Sequence, residues 1–355
     1  MSRERAAPVP RIRVLVCEDS RAYATGLRRM LEYEGDIEVV AMRQTAEDAI
    51  ASLPRLAPDL VTMDVRLAGM DGLTAIAEIM GTRPVPILVI SAYLGAQGEA
   101  EKAEAIAAGA LDWLAKDDLD LREPSGAAGA AFRRRIKMLS RARVVRRPRL
   151  PIGSETPPGR RGRDASVIGV CASTGGPQIL ASLLESLPPD YPIPLLVVQH
   201  LIAGFTDGLV RWLDQAVPLP VRAASDGDLA APGVWIAPEG AHLRIAASGR
   251  LHLDPRELAG PHRPSGDVLL GSIAVAAGRT GVAVVLSGMG KDGAAGAAAV
   301  HAAGGLAMAQ DEASSVVYGM PRAAADHGVD LVLPPKSIAV QMLGLRYAPL
   351  PGARS

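Results

Sequence analysis

The stretch Ser166-Val-Ile-Gly-Val-Cys-Ala-Ser-Thr-Gly-Gly-Pro177 joins a short apolar run to a glycine-rich turn and then to a helix-forming segment. The run from Val167 to Cys171 is typical of a buried parallel strand, and Pro177 suits the first turn of a helix. Ser173 lies between them, where backbone N–H groups and the helix dipole stabilise negative charge. We interpret Ser173 as a candidate nucleophile. A helix N-cap is the alternative, because serine is a favoured cap and no G-x-S-x-G signature is present.

Two other predicted strands in this half of the chain end in polar side chains of complementary chemistry. The run from Leu195 to Gln199 ends at His200, and the run from Gly281 to Leu286 leads through a glycine-rich turn to Asp292. Carboxyl ends of parallel strands line one crevice, so Ser173, His200 and Asp292 are expected to meet there. A serine becomes nucleophilic when an imidazole takes its proton and a carboxylate orients that imidazole. The pattern predicts a serine hydrolase, with a nucleotide-binding α/β domain as the alternative.

The remaining histidines lack the spacing of a metal site and are interpreted as structural: His242, His252, His262, His301 and His327.

The composition indicates a globular chain of two domains. The chain has 355 residues, of which 48% are hydrophobic and 21% are charged, and its net charge is zero. Because the net charge is zero, the chain has no overall positive potential that would attract nucleic acid. The two cysteines, Cys17 and Cys171, lie in separate apolar runs, which fits a reducing compartment. No signal peptide or membrane span is predicted, so the expected location is the cytoplasm.

Polar side chains also follow the predicted strands of the first half. Glu18 and Asp19 follow one apolar run, and Asp64 and Ser91 follow two later runs. In a doubly wound parallel sheet these side chains meet at one edge. Three carboxylates in one crevice repel each other unless a divalent cation neutralises them, and oxygen ligands of this kind suit Mg²⁺. With Lys116 nearby, such a site could hold a phosphoryl group on one carboxylate. Each acid alone could instead cap a helix or face solvent.

Arginine, glycine and proline accumulate between the two halves, which marks a linker. The predicted domains are residues 11–122 and 165–345, joined by residues 123–164, within which residues 127–139 can still form a helix. A basic run of this kind either binds nucleic acid or is a solvated linker. The linker is favoured because no helix-turn-helix or aromatic platform accompanies it.

Residues 11–122 resemble the receiver domain of bacterial two-component response regulators. The resemblance rests on Cys-Glu-Asp-Ser at 17–20, Met-Asp-Val-Arg-Leu-Ala-Gly-Met-Asp-Gly at 63–72, Ser91-Ala92, and Ala107-Ala-Gly-Ala110 leading to Trp113 and Lys116. It implies a flavodoxin-like sheet in which Asp64 accepts a phosphoryl group while Glu18 and Asp19, with Asp64, hold Mg²⁺. It further implies that Ser91 and Lys116 contact the phosphoryl group and that Trp113 is the aromatic switch residue. Gly69 and Asp117 stand where the family usually has proline.

Residues 165–345 resemble the catalytic domain of the chemotaxis protein-glutamate methylesterase. The motifs are Ala-Ser-Thr-Gly-Gly-Pro at 172–177, Gln199-His200, Ile-Ala-Pro-Glu-Gly at 236–240, His-Arg-Pro-Ser at 262–265, Leu-Ser-Gly-Met-Gly-Lys-Asp-Gly at 286–293 and Tyr-Gly-Met-Pro-Arg at 318–322. The resemblance implies a Rossmann-like α/β esterase domain with Ser173 as nucleophile, His200 as base and Asp292 as third member. Thr174 and Met289 would occupy oxyanion or substrate-contact positions.

The order receiver, linker, esterase is itself the architecture of this family. It implies phosphorylation-activated hydrolysis of glutamate methyl esters, together with deamidation of glutamine, on methyl-accepting chemotaxis receptors. The chemotaxis histidine kinase would be the phosphodonor, and the esterase reaction would need no cofactor. Two alternatives remain open: the same chemistry serving a non-flagellar sensory array, and a catalytically silent signalling adaptor.

Overall fold

The computed structural model describes residues 11–92, 95–142, 162–200, 206–256 and 262–352, which form two compact units. The central part of the predicted linker, residues 143–161, lies outside the described residues. Among the residues that are described, no helix has the length and the apolar character that a bilayer span requires.

The first unit is built on five parallel strands whose central members are apolar on both faces. The strands are β1 (Ile12–Cys17), β2 (Ile37–Arg43), β3 (Leu60–Met63), β4 (Ile87–Ser91) and β5 (Asp112–Ala115). They lie in the order β2-β1-β3-β4-β5, which is the flavodoxin-like order. Along this half of the chain the helices are α1 (Arg21–Leu31), α2 (Ala46–Leu56), α3 (Gly72–Thr82), α4 (Gly95–Ala108) and α5 (Ala127–Leu139). Full burial of strands such as β3 requires helices on both faces of the sheet.

The first three helices of this unit begin at capping side chains close to the carboxyl edge of the sheet. Ser20, Thr45 and Asp71 each accept a hydrogen bond from the backbone N–H three residues later. Because Ser20 caps α1 only three residues after β1 ends, Glu18 and Asp19 are confined to the short connection at that edge.

Helix α5 has the bounds that the sequence predicts for it, Ala127–Leu139. It packs beside α1 through the buried Arg133, which donates hydrogen bonds to the carbonyl of Met30 at 3.2 Å and to the carboxylate of Glu34 at 2.9 Å. The helix therefore belongs structurally to the first unit.

The second unit is built on a seven-stranded parallel sheet. Its strands are β7 (Val167–Ala172), β8 (Leu195–Gln199), β9 (Val221–Ala223), β10 (Val234–Ile236), β13 (Gly281–Val285), β14 (Leu306–Gln310) and β15 (Leu331–Leu333). Outside this sheet, β11 (His242–Ile245) and β12 (Leu251–Asp254) form an antiparallel hairpin, and β6 (Asp164–Ala165) pairs with β16 (Arg346–Tyr347). The helices are α6 (Gly176–Leu184), α7 (Thr206–Ala216), α8 (Gly266–Ala277), α9 (Ala294–Ala302), α10 (Met320–Asp326) and α11 (Pro335–Leu343).

The strand order of this sheet, β15-β14-β13-β7-β8-β10-β9, reverses direction between β7 and β13. From β7 the chain first builds outward through β8 and then returns to add β13, β14 and β15 on the other side. Such a switch point opens a crevice at the carboxyl ends of the strands. The predicted class is confirmed, since both units are α/β folds on parallel sheets.

Candidate active site

Ser173, His200 and Asp292 follow three adjacent strands at the switch point of the second sheet. Ser173 follows β7 and His200 follows β8, and the residues before them, Ala172 and Gln199, are register partners. The backbone N–H of His200 continues this ladder to the carbonyl of Ala172 at 2.9 Å. Neighbouring strands lie about 4.8 Å apart, so the backbones of Ser173 and His200 are side by side.

His200 and Asp292 are in direct contact. The Nε2 atom of His200 lies 2.7 Å from Oδ2 of Asp292, and their side chains are 9% and 10% exposed. Burial alone would raise the pKa of Asp292, but hydrogen bonds from His200, Ser265 and the backbone of Gly266 and Asp267 outweigh it and hold the pKa well below its usual range. The carboxylate is therefore ionised at neutral pH and keeps the proton of a neutral His200 on Nε2.

The second ring nitrogen of His200, Nδ1, is buried and has no hydrogen-bond partner among the described residues. With Nε2 bound to Asp292, this nitrogen carries the free lone pair of the neutral ring. The exposed ring of His262 stacks on His200, with centroids 4.1 Å apart and an interplanar angle of 15°. Burial and the nearby His200 lower the pKa of His262.

The backbone of Ser173 is fixed by hydrogen bonds that leave its side chain partly exposed. Its N–H donates to the carbonyl of Ser287 at 2.9 Å, and Nε2 of Gln199 donates to the carbonyls of Ser173 at 2.9 Å and of His200 at 3.0 Å. Gly288 lies against Ser173, because a Cβ atom at Gly288 would stand 2.7 Å from the Cβ of Ser173.

The alternative interpretation of Ser173 as a helix N-cap is wrong. Helix α6 begins at Gly176, and its N-cap is Gly175, which has a φ of +71° and provides no side-chain cap. The N-cap of α9 is Gly293, so Asp292 does not cap its own helix either. Both polar side chains are therefore free for contacts in the crevice.

Thr174 and Met289 lie on the two loops that flank Ser173, and both are partly exposed. The carbonyl of Thr174 accepts a hydrogen bond from the Ser287 hydroxyl at 2.9 Å. Within the described residues, the backbone N–H groups of Thr174 and Met289 have no acceptor. These two donors are suited to a negative charge that develops on a substrate oxygen.

A second cluster of polar side chains occupies the carboxyl edge of the first sheet. Asp64 accepts a hydrogen bond from the Ser91 hydroxyl at 2.7 Å and binds Nζ of Lys116 at 2.6 Å. Lys116 also binds Glu18 at 2.7 Å. Burial alone would lower the pKa of Lys116, but hydrogen bonds with Asp64 and Glu18 outweigh it and raise the pKa above its ordinary value.

The carboxylates of Glu18, Asp19 and Asp64 fit a divalent cation. One oxygen of each lies within 4.8 Å of the others, and Glu18 and Asp64 are buried. With Lys116 beside them the cluster keeps an excess of negative charge, and its ligands are all hard oxygens. Burial raises the pKa of Glu18, with Asp64 adding to the effect and Lys116 opposing it.

Trp113 and Gly69 are close in sequence to members of this cluster, and their environments differ from each other. Trp113 is buried on β5, at 2% exposure. Gly69 has a φ of +82°, a value that proline cannot adopt, so this loop differs in backbone conformation from one with proline at that position.

Three further side chains lie at the second site, of which Gln199 and Ser265 had no predicted role and His262 was interpreted as structural. Gln199 joins the Ser173 and His200 backbones, His262 stacks on His200, and Ser265 donates to Asp292 at 2.7 Å. Gln199, His262 and Ser265 belong to quoted motifs, but their contacts depend on loops and helices that meet only in the folded chain.

Comparisons with known proteins identify both halves. The family model of the CheB methylesterase matches residues 168–342, and that of the response regulator receiver domain matches residues 14–122. A protein-glutamate methylesterase/protein-glutamine glutaminase 3 of Myxococcus xanthus (strain DK1622) is 43% identical over 350 residues, covering 97% of this chain and 96% of the relative. A protein of the same name from Anaeromyxobacter dehalogenans (strain 2CP-C) is 42% identical over 340 residues, covering 92% and 97%.

Among solved structures, the Thermotoga maritima CheB methylesterase catalytic domain is 38% identical, with a TM-score of 0.49. The match covers 50% of this chain and 97% of that chain.

The curated relatives extend through the receiver and the esterase halves alike. The nucleotide-binding alternative for the second half is therefore wrong. The chain belongs to the CheB family of protein-glutamate methylesterases, which are carboxylic ester hydrolases joined to a response-regulator receiver domain.

Proposed function

We propose that this protein removes methyl groups from glutamate side chains on the cytoplasmic helices of methyl-accepting chemotaxis receptors, with Ser173 as nucleophile. By the same route it would deamidate glutamine side chains. The observation that carries this proposal is the contact of His200 with an ionised Asp292 beside the Ser173 backbone, at the switch point of the sheet. The names of the curated relatives, protein-glutamate methylesterase/protein-glutamine glutaminase, support both activities.

In the first step, Nδ1 of His200 takes the proton of the Ser173 hydroxyl while its oxygen attacks the ester carbonyl carbon. Asp292 stabilises the imidazolium that forms. The backbone N–H groups of Thr174 and Met289 stabilise the charge on the carbonyl oxygen.

His200 then returns the proton to the leaving oxygen, which departs as methanol and leaves an acyl-enzyme on Ser173. In the second half of the reaction a water molecule gives its proton to His200 and attacks the acyl carbon. Ser173 is released with its proton restored, and the substrate side chain becomes a glutamate carboxylate. When the substrate is glutamine, ammonia leaves in place of methanol.

The receiver unit would control this reaction through phosphorylation of Asp64 by the chemotaxis histidine kinase. Glu18, Asp19 and Asp64 would hold Mg²⁺, which neutralises charge on the phosphoryl oxygens. The contacts to the phosphoryl group would come from Ser91 and Lys116, which already bind Asp64 at 2.7 Å and 2.6 Å. Trp113 would be the aromatic residue that repacks when the phosphoryl group is added.

We further propose that the receiver comprises residues 11–122, that residues 123–164 are the linker and include α5 as the last receiver helix, and that the catalytic domain comprises residues 165–345. The experiment that tests the control is a methanol-release assay on methylated receptor membranes, with and without a small phosphodonor and Mg²⁺. We expect the phosphodonor to raise the rate of the wild-type protein and to leave that of Asp64→Asn unchanged. A phosphodonor effect that persists in Asp64→Asn contradicts the control through Asp64.

A further inference from the structure

Asp292 accepts four hydrogen bonds, and most of their donors belong to one helix, α8, that carries none of the predicted catalytic residues. Its Oδ2 atom accepts hydrogen bonds from the backbone N–H of Gly266 at 2.6 Å and from His200 at 2.7 Å. Its Oδ1 atom accepts from the Ser265 hydroxyl at 2.7 Å and from the backbone N–H of Asp267 at 3.1 Å. Three of these four donors belong to the start of α8, so this helix, more than the loop of Asp292 itself, determines where the carboxylate points.

The hydroxyl of Ser265 does not form the N-cap hydrogen bond that its position predicts. Ser265 is the N-cap residue of α8 and has an extended backbone, with φ of −115° and ψ of 134°. A serine at this position ordinarily accepts a hydrogen bond from its own helix. Here its side chain caps no N–H of α8, and the carboxylate of Asp292 takes the N–H groups of Gly266 and Asp267 instead. The Ser265 hydroxyl is left to donate to Asp292.

The backbone of Ser265 is itself held by a hydrogen bond to another element of the unit. It is 2% exposed, and its backbone N–H donates to Nδ1 of His242 at 3.2 Å. His242 is 1% exposed and lies on β11, so a second element anchors the start of α8.

The two helices next to Asp292, α8 and α9, are also joined to each other by a hydrogen bond. Asp267, in the first turn of α8, accepts the backbone N–H of Gly296 at 2.8 Å, in the first turn of α9. Asp292 precedes α9 and binds the start of α8. Each helix therefore begins at a carboxylate supplied by the other segment, and a shift of either carboxylate would break the hydrogen bonds that it accepts.

We propose that Ser265 is a positioning residue of the esterase, whose hydroxyl holds the Asp292 carboxylate in the orientation that binds Nε2 of His200 and leaves Nδ1 available as the base for Ser173. This inference rests on the proposed function of the second unit. Ser265 does not touch the reacting atoms and acts through Asp292. Without its hydroxyl, Oδ1 of a buried carboxylate loses its shorter hydrogen bond and keeps only that from the Asp267 N–H at 3.1 Å, so the carboxylate is held less firmly against rotation away from the ring.

The test compares Ser265→Ala with Ser272→Ala in the full-length protein. Ser272 is a matched control because it lies on the same helix and its hydroxyl is also buried and hydrogen-bonded, to the backbone of Ile245 and Leu269. Methanol release from methylated receptor membranes is measured in both, below the unfolding temperature of each variant. We expect kcat of Ser265→Ala to fall about tenfold with KM unchanged, since a hydrogen bond to a charged group is lost. Ser272→Ala should keep the wild-type kcat.

A second readout needs no substrate. The Nε2 proton of His200, held 2.7 Å from a carboxylate oxygen, should give a downfield proton resonance in the nuclear magnetic resonance spectrum. That resonance should shift or broaden in Ser265→Ala and stay in place in Ser272→Ala. Ser265→Gly removes the same hydroxyl with a residue that N-caps tolerate and serves if Ser265→Ala does not fold.

A folded Ser265→Ala protein with wild-type kcat and an unchanged resonance overturns the inference, as does an equal loss of kcat in Ser272→Ala. Absence of methanol release from the wild-type protein would instead contradict the proposed function, and the resonance would still test the role of Ser265.

Discussion

The Asp292→Asn substitution tests the role of the carboxylate, and the structure predicts how the new amide is oriented. Asp292 accepts four hydrogen bonds, the shortest from the backbone of Gly266 to Oδ2 at 2.6 Å. An amide keeps only one oxygen acceptor, and its NH₂ group repels N–H donors. The amide oxygen should therefore occupy the Oδ2 position, where it serves Gly266 and His200. The NH₂ group then faces the Ser265 hydroxyl, which is able to accept, and the Asp267 N–H loses its partner.

In this orientation His200 keeps its tautomer, so the loss of activity measures the missing charge. Both side chains are about one tenth exposed, at 9% and 10%. For charge centres about 4 Å apart and an effective dielectric constant of about 20, the interaction is about 4 kcal/mol. This stabilisation acts on the imidazolium that forms in the transition state. Because about 1.4 kcal/mol corresponds to a tenfold change in rate, kcat should fall about a thousandfold.

The assay is methanol release from methylated receptor membranes, with Asp330→Asn as the matched control. Asp330 also stands beside a histidine, with His301 Nδ1 at 3.2 Å, and accepts a backbone N–H from Ala307 at 2.9 Å, but it lies away from Ser173 in the sheet. Asp330→Asn should keep kcat within about twofold of wild type. A folded Asp292→Asn protein that retains more than one tenth of wild-type kcat would refute the electrostatic role of Asp292.

Three other substitutions have distinct expected outcomes. Asp64→Asn should abolish the single label that a small phosphodonor and Mg²⁺ place on the protein, as read by intact-mass spectrometry, and a surviving label contradicts Asp64 as acceptor. A folded Gly288→Ala protein should lose about tenfold to a hundredfold in kcat, because the new Cβ would clash with Sδ of Met320 and stand 2.7 Å from the Cβ of Ser173, so that Ser173 must shift; unchanged kcat in the folded variant would mean that Ser173 is not closely confined. Hydrogen bonds from Lys137 and Arg133 lower the pKa of Glu34 to about 2, so its stabilising effect is present above the unfolded pKa of about 4.3 and is lost as the pH falls toward 2. Glu34→Gln should accordingly lower the unfolding temperature at pH 7 but not at pH 2, and an equal difference at both values contradicts this linkage.

The positions of the site residues relative to the sheets were predictable because they follow from local sequence. Val167 to Cys171 is an uninterrupted apolar run, and runs of this kind in α/β chains form parallel strands whose carboxyl ends share an edge. This rule alone predicts that His200 and Asp292 converge, and the structure brings them to 2.7 Å. The same rule predicts the cluster of Asp64, Ser91 and Lys116 in the first unit.

The supporting contacts were not predictable from local sequence. Ser265 precedes a helix, and its residue type predicts a cap for that helix, whereas the folded chain supplies a carboxylate from Asp292, which is 27 residues away. His262 has no metal-site spacing and is interpreted as structural from the sequence, but it stacks on His200, and Asp292 binds both His200 and the start of α8 that follows His262. Contacts of this kind depend on how helices pack across a sheet, which residue types and spacing do not determine.

The central claim is that Ser173 carries out ester hydrolysis with His200 as its base. Its most direct test is the release of methanol from methylated receptor membranes by the full-length protein with a phosphodonor and Mg²⁺, compared with Ser173→Ala and His200→Ala. We expect rapid release by the wild-type protein and none above background from either folded variant, because the two side chains act as one unit. Wild-type protein that releases no methanol, or a Ser173→Ala protein that releases it at the wild-type rate, would contradict the claim.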